Sequence, residues 1–299
     1  MKLTNAMNLP QPFVTAVEGD YRYTDKRYSV TAILKGTREA ILQRRHDDEI
    51  TNDVADMVWA IFGTAVHSIL EGGEESESQI KENKLAVDLP NGYQLSGIFD
   101  LYDDATGTVT DYKTASVWKI KFGCWDNWEP KPGEFADWRK QTLYYCWMLR
   151  QIGFDAHRGE IVALLKDHSK TKAKINEHPP LPVWQIRWDF TDKDFDQAEA
   201  EIMAKFAEIE RCEQLPDEEL PLCSEDDRWT RPGKYAVMKP GRKSAIRLYD
   251  NEAEAEERAQ AEGKGCYVEH RPGSDPKCMD YCSACEFCTY WQENYGGER

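Results

Sequence analysis

Long apolar runs are what this 299-residue chain lacks. None approaches the ~20 residues needed to span a bilayer. Nothing behind Met1-Lys2-Leu3-Thr4-Asn5 could serve as a signal peptide. A cytoplasmic protein with no membrane partner is therefore expected. Positive charge is scarce as well: 38 Lys and Arg face 54 Asp and Glu, a formal net charge of -16. Phosphate contacts need cations, so this balance taken alone speaks against a nucleic-acid binder. The odd count of nine cysteines, without a secretory signal, makes a disulfide framework unexpected. No internal repeat is visible, which sets solenoids aside.

What is present is unevenly spread. From Arg228 to Tyr249 there is no Asp or Glu, while Arg228, Arg231, Lys234, Lys239, Arg242, Lys243 and Arg247 all fall there. A second basic segment holds Lys166, His168, Lys170, Lys172 and Lys174, broken only by Asp167. Charge runs are often just solvated loops. Against an acidic background, Lys166, Lys170, Lys239, Arg242 and Lys243 are nonetheless candidates for DNA phosphate contacts. The length suits a large domain with a smaller appendage. Gln214-Leu215-Pro216 to Pro221 reads as a linker, so a core over 1–218 and an appendage over 219–299 are expected.

Within the core, residues 1 to about 27 read as irregular. Ser29 offers a helix N-cap, with a helix expected to about Arg45. A second helix is expected from about Asp53 to Glu71, where apolar residues fall at helical spacing before Gly72-Gly73. Lys84 to Leu89, Tyr93 to Tyr102 and Thr108 to Thr114 read as strands separated by Pro90-Asn91-Gly92 and Asp103-Asp104-Ala105-Thr106-Gly107 turns. A helix over about 135–152, strands over 160–165 and 183–189, and a long helix over about 192–212 complete the core. Asn251 to Glu262 reads as a helix of the appendage. The fold class is α/β: a central mixed sheet flanked by helices, with a small cysteine-rich C-terminal module.

Asp111 and Lys113 are two apart on a strand and share a face. Asp100 lies on the preceding strand, and a turn centred near Ala105 would set it opposite position 110 or 111. Two close carboxylates repel unless a cation neutralises them. An all-oxygen site suits Mg²⁺ or Mn²⁺, and a lysine beside it can orient a water or stabilise charge on a phosphoryl group. The bland alternative is a surface hairpin with a salt-bridged lysine. On the helix before it, His67 and Glu71 share a face, and Gly63 sits on the same stripe. A helical glycine costs about 1 kcal/mol against alanine, which a close approach of backbone or substrate would explain.

Gly63-x-x-x-His67, Asp100, Asp111-x-Lys113 and Gln141-x-x-x-Tyr145, in this order over roughly residues 28–190, resemble the PD-(D/E)XK nuclease superfamily. The likeness is closest to its RecB-like exonuclease branch, which includes phage-encoded members and the CRISPR adaptation nucleases. The resemblance implies a restriction-endonuclease-like core. Asp100 and Asp111 would be metal ligands, His67 a further ligand favouring Mn²⁺, and Lys113 the catalytic lysine. Gln141 and Tyr145 would position the substrate strand. Glu71 matches an acidic position of the family, and Arg38, on the opening helix, is a candidate phosphate contact. Phe99 stands where the family name has proline.

Cys278, Cys282, Cys285 and Cys288 crowd one short stretch, a spacing that points to zinc or an iron–sulfur cluster. Some RecB-like nucleases hold a [4Fe–4S] cluster by three C-terminal cysteines and one distant one. The resemblance assigns Cys278, Cys282 and Cys288 to that triplet. Near the N-terminal helix, where the family has its fourth ligand, Gly36-Thr37-Arg38 stands instead. Cys223 is the favoured fourth ligand and Cys285 the alternative. A local Zn²⁺ site made of the four clustered cysteines is the rival.

The expected activity is thus a Mg²⁺- or Mn²⁺-dependent DNA exonuclease yielding 5′-phosphate products. It would serve DNA recombination, replication or repair, be encoded by a phage, and work beside a single-strand annealing or recombination protein. Rival readings are a structure-specific or single-strand endonuclease on the same core, and a non-cleaving DNA-binding assembly subunit.

Overall fold

The N-terminal residues expected to be irregular carry a strand, β1 (Lys2–Thr4), and a helix, α1 (Gln11–Val17). Pro12 sits in the first turn of α1, where a missing N–H costs nothing. In this computed structural model the described residues are 1–18, 23–81, 83–263 and 265–296. Short β2 (Arg27–Ser29) runs straight into α2 (Val30–Ile33), and the Ser29 hydroxyl accepts the Ala32 N–H as expected of a cap. The single helix expected here is two. The chain turns extended at Gly36, and α3 (Thr37–Arg45) starts anew. β3 (Thr51–Asp53) pairs with β1 in parallel, and a 3₁₀ turn over Val54–Met57 leads into α4 (Val58–Glu71).

The apolar spacing of α4 is real, yet none of its residues is buried. One stripe rests on the sheet and the rest faces outward. Val54–Glu71, with mean hydropathy 1.2 over 18 residues and 6% of it buried, is by length and composition apolar enough to cross a membrane. This corrects the expectation that no segment comes close. It is a statement about composition only, because the helix is docked on a strand of the core.

Beyond α4 come β4 (Gln79–Lys81), β5 (Lys84–Asp88), β6 (Gln94–Ile98), β7 (Leu101–Asp103) and β8 (Thr108–Ala115). Then follow α5 (Val117–Gly123), α6 (Ala136–Gln151), β9 (Arg158–Leu165), α7 (Lys170–Ala173), β10 (Val183–Asp189) and α8 (Asp192–Cys212). The principal sheet has the order β10-β9-β8-β7-β4, with β8 and β9 parallel and the other pairs antiparallel. A three-stranded sheet, β2-β6-β5, lies beside it in the fold. The stretch expected as one strand from Tyr93 to Tyr102 is therefore two strands of different sheets, and the chain crosses between them at Phe99–Asp100.

Helix α6 is buried nearly all round, from Trp138 through Leu149, as befits a core helix rather than a surface one. It packs against β8 and β9 on one side and α8 on the other. The main core follows from this, joining Leu143, Trp147 and Met148 of α6 to Phe195, Ile202 and Phe206 of α8.

The chain forms two compact units, Met1–Leu215 and Pro216–Arg299. In the second, α9 (Glu225–Arg228) precedes β11 (Lys234–Met238), β12 (Arg247–Tyr249), α10 (Glu252–Glu262) and β13 (Tyr267–Arg271). The sheet order is β12-β11-β13, and Val237, Ala255 and Ala259 form a small core under α10. A π turn (Lys277–Tyr281), a 3₁₀ turn (Cys285–Phe287) and α11 (Thr289–Asn294) hold the clustered cysteines. Buried Asp275 accepts from Thr230, Tyr290 and Tyr295 and faces Arg228, which pairs its charge as burial demands.

At the start of α8, the Thr191 hydroxyl accepts the Asp194 N–H while the Asp194 carboxylate accepts the Thr191 N–H, a complete capping box. These backbone bonds, with the Arg139 guanidinium, hold the Asp194 carboxyl down to about 2. Replacing Asp194 by Ala should cost about 1 kcal/mol at neutral pH. The wild type's advantage is present above the ordinary carboxylate range and shrinks as pH falls toward 2. Urea melts followed by circular dichroism at several pH values would show it. A constant gap across that range would contradict the assignment.

Candidate active site

The break between β6 and β7 is what sets Asp100. With Leu101 opposite Thr110, extending the register by one residue puts position 100 across from 111. Asp100 Oδ2 accepts the Tyr112 N–H at 2.7 Å, and its Oδ1 meets His67 Nδ1 at 3.1 Å. Asp111 and Lys113 project together from β8, and Lys113 Nζ lies 2.6 Å from Asp111 Oδ2. From α6, Gln141 bridges the pair: Nε2 donates to Asp111 Oδ1 at 3.0 Å, and Lys113 Nζ donates to Gln141 Oε1 at 2.9 Å. Helix α4 and the sheet break thus supply one pair, His67–Asp100, and β8 with α6 a second group, Asp111–Lys113–Gln141; the Tyr112 N–H anchors Asp100 beside the second group, and its charge is felt at Asp111.

Asp111 is the buried member, its side chain 6% exposed. Burial pushes its carboxyl up to about 6, opposed by Lys113 and reinforced by Asp100. The His67 imidazole is shifted up chiefly by its hydrogen bond to Asp100, with burial working against it. Asp111 Oδ2 sits at ion-pair distance from Lys113 but accepts no well-aligned hydrogen bond. That oxygen is left with lone-pair capacity that no aligned donor takes. Two carboxylates and an imidazole are suitable donors for Mg²⁺ or Mn²⁺. As the side chains stand, no three His, Cys, Asp or Glu groups among the described residues are placed to hold a single metal ion.

Not every residue singled out in the sequence joins this set. Tyr145 is only 4% exposed, its ring seated against Gly97, where a Cβ would stand 2.6 Å from Tyr145 Cε1. Burial raises its phenol pKa, and its partners are Gln141 and the Ile98 backbone. It backs Gln141 from inside and does not face a substrate strand. Arg38 is 5% exposed within α3, which packs on α8, so it offers no open guanidinium to a phosphate. Glu71 ends α4 exposed, and its carbonyl accepts from Lys81 Nζ. A Cβ on Gly63 would meet only Thr114 Oγ1, at 3.8 Å, which is ordinary contact. Close approach of the chain itself does not explain that glycine.

Of the basic candidates, Lys166 follows β9 directly, with Nζ 3.7 Å from the centre of the Trp59 ring. Lys170 is exposed at the start of α7, and Lys239, Arg242 and Lys243 are exposed beyond β11 in the second unit. Sequence reasoning passed over Trp59 and the Tyr112 N–H. A tryptophan on an apolar helix reads as core, and a backbone donor leaves no trace in the sequence. Among the cysteines, Cys285 is buried, and Cys223, Cys278, Cys282 and Cys288 are half-buried. Burial first, then Asp275, Cys223 and Cys288, pushes the Cys278 thiol up to about 12. Cys223 is thus near enough to Cys278 for their charges to be felt.

No protein-family model and no curated protein sequence matches the chain. Similar solved structures include the protein SSO0001, at 15% identity, covering 64% of this chain and 84% of that one with a TM-score of 0.42. The alkaline exonuclease LHK-Exo from Laribacter hongkongensis is 15% identical over 62% of this chain and 89% of its own, TM-score 0.35. A phage-related exonuclease from Haemophilus somnus 129PT is 12% identical over 58% and 71%, TM-score 0.31. Likenesses this distant decide nothing about this chain, whose chemistry rests on its own side chains.

A carboxyl whose folded pKa is raised binds more protons folded than unfolded, so it costs stability as pH rises through about 4 to 6. Without added metal, Asp111→Asn should therefore be more stable than the wild type at pH 8, by on the order of 1 kcal/mol. It should lose that advantage below pH 4. Thermal melts in EDTA test this, and an Asn variant less stable at pH 8 would refute it.

Proposed function

We propose that this chain is a Mg²⁺- or Mn²⁺-dependent DNA nuclease, acting as an exonuclease in DNA recombination, replication or repair. The observation that carries the reading is the placing of the His67–Asp100 pair next to the Asp111–Lys113–Gln141 group, with Asp100 anchored on β8 by the Tyr112 N–H. A merely structural Lys–Asp pair would need neither a second carboxylate on an adjoining break nor an amide fixing both partners. Asp100, Asp111 and His67 would hold the divalent cation. When bound, that cation supplies polarisation of the scissile phosphate and a water of lowered pKa.

The chain's own groups do the rest. Lys113 carries a positive charge aimed by Gln141 Oε1, suited to stabilise negative charge developing on the phosphoryl oxygens. Gln141 Nε2 keeps Asp111 Oδ1 in place. The Tyr112 N–H fixes Asp100 Oδ2 and turns the other oxygen toward His67. Departure of the 3′ oxygen, leaving 5′-phosphate ends, is what the superfamily resemblance implies. In the C-terminal unit we assign Cys223, Cys278, Cys282 and Cys288 to a structural [4Fe–4S] cluster, with Cys285 and Zn²⁺ as the competing set. As the side chains stand these thiols, among the described residues, do not form a metal-holding group; the assignment rests on their spacing in the sequence, and hydrolysis needs no electron transfer.

The purified full chain should degrade end-labelled linear DNA with Mg²⁺ or Mn²⁺, spare circular DNA, and do nothing in EDTA. Lys113→Ala should lose about 100-fold or more in rate. Opening of circles would turn the reading to an endonuclease. If no form of DNA is cleaved and Lys113→Ala changes nothing, a non-cleaving DNA-binding subunit replaces the enzyme. Anaerobic purification with metal analysis should return iron and a broad visible absorbance that Cys278→Ser removes. Zinc, or neither metal, would overturn the cluster assignment.

A further inference from the structure

Five large aromatic side chains stand out of the surface beside the candidate site. On α4, Trp59 is 60% and Phe62 41% exposed, their rings edge to face at 6.4 Å. On α5, Trp118 and Phe122 are 53% and 69% exposed and stacked at 5.6 Å. Trp125, just beyond, is 56% exposed. Each tryptophan carries a lysine over its face: Lys166 on Trp59, Lys121 on Trp118 and Lys131 on Trp125, at 3.7, 5.2 and 5.5 Å. Lys119 belongs elsewhere, since it pairs with Asp137.

Both aromatic pairs are rooted where β8 leaves the site. The Lys166 N–H donates to Ala115 O, two residues past Lys113, and the Asp167 carboxylate accepts the Val117 N–H at the start of α5. Gly63, one turn along α4 from Trp59, faces Thr114 across ground that a methyl group would fit. Packing within the chain leaves that glycine unexplained, whereas a strand passing over it would not.

We propose that this aromatic and lysine surface is a stacking platform for an unpaired nucleic-acid strand, which it feeds to the Asp111–Lys113 site. The proposal rests on the nuclease reading for its direction, though its binding step stands apart. Flat rings recognise base faces, and a duplex hides those faces in its own stack. Ammonium groups beside the rings match phosphates spaced along the same strand. On a chain of net charge -16, cations set over exposed rings are the local exception that a polyanion needs. Lysines beside tryptophans also suit an anionic lipid surface; the flat rings of the stacked Trp118–Phe122 pair favour a base.

The test is fluorescence anisotropy of labelled oligothymidylate of about 20 nucleotides with the full chain in EDTA, against a blunt duplex of equal length. The single strand should bind at least about tenfold tighter than the duplex. Trp59→Ala and Trp118→Ala should each weaken it about tenfold. Trp59→Phe should retain most of the binding, and Lys166→Gln should flatten its salt dependence. With Mg²⁺, Trp59→Ala should raise KM and leave kcat near the wild type.

Equal affinity for duplex, or alanine variants that bind as the wild type, overturns the platform. So does preferential binding to phosphatidylglycerol vesicles, or a wild-type dimer that Trp59→Ala dissolves without touching DNA affinity. Tryptophan-dependent binding with no cleavage under either metal would keep the platform and discard the nuclease. Cleavage indifferent to Trp59 and Trp118 would do the reverse.

Discussion

Two carboxylates that would rather be apart, Asp100 and Asp111, organise everything around them. Asp100 is available only because the chain abandons one sheet at Ile98 and joins another at Leu101, leaving a residue whose carboxylate takes a β8 N–H. Asp111 comes from β8 just past the point where its pairing with β7 ends, still paired to β9 on the other side, and is buried there. Burial makes the Asp111 position costly for a negative charge, and each carboxylate has a nitrogen partner close by. Lys113 reaches Asp111 from two residues along the same face, and His67 reaches Asp100 from α4. Gln141 ties the lysine and the carboxylate together and in doing so fixes α6 over the sheet.

Much of this was legible in the sequence, and the reasons are specific. Alternation and turn residues placed β8 and the long helix α8 nearly to the residue, because the pleat and the 3.6-residue period leave direct marks. The turn near Ala105 set position 100 opposite 110 or 111, and the register of β7 on β8 selects 111. The split at Phe99–Asp100 did not show, since Tyr93 to Tyr102 has no proline or bulge glycine at the crossing, and only pairing partners distinguish the two sheets. Helix α4 was read correctly as a helix from the helical spacing of its apolar residues, yet none of them is buried. Periodicity reports that a face is apolar, not that anything covers it. Tyr145 was matched by family pattern to a substrate role, while its burial is a property of α6 as a whole.

The basic segments show the same limit in another form. Arg228 to Tyr249 was read for its charge, and the structure finds two strands and a small core there. Its lysines and arginines sit mainly on turns and edges of a folded unit. Lys166 shows the opposite case. As one lysine in a run it meant little, and its place above Trp59 gives it an aromatic partner and an address beside the site. Charge acquires meaning from what stands under it, which composition does not record.

Gly97 ties the small sheet to the chemistry. Its missing side chain is the space that the Tyr145 ring occupies, Tyr145 supports Gln141, and Gln141 holds Lys113. A side chain added at this central-strand position would be transmitted inward along one short mechanical chain, arriving as a misaimed ammonium group. The small sheet is thus more than scaffolding: it is the far end of the lever that keeps the Lys113 ammonium group against Asp111.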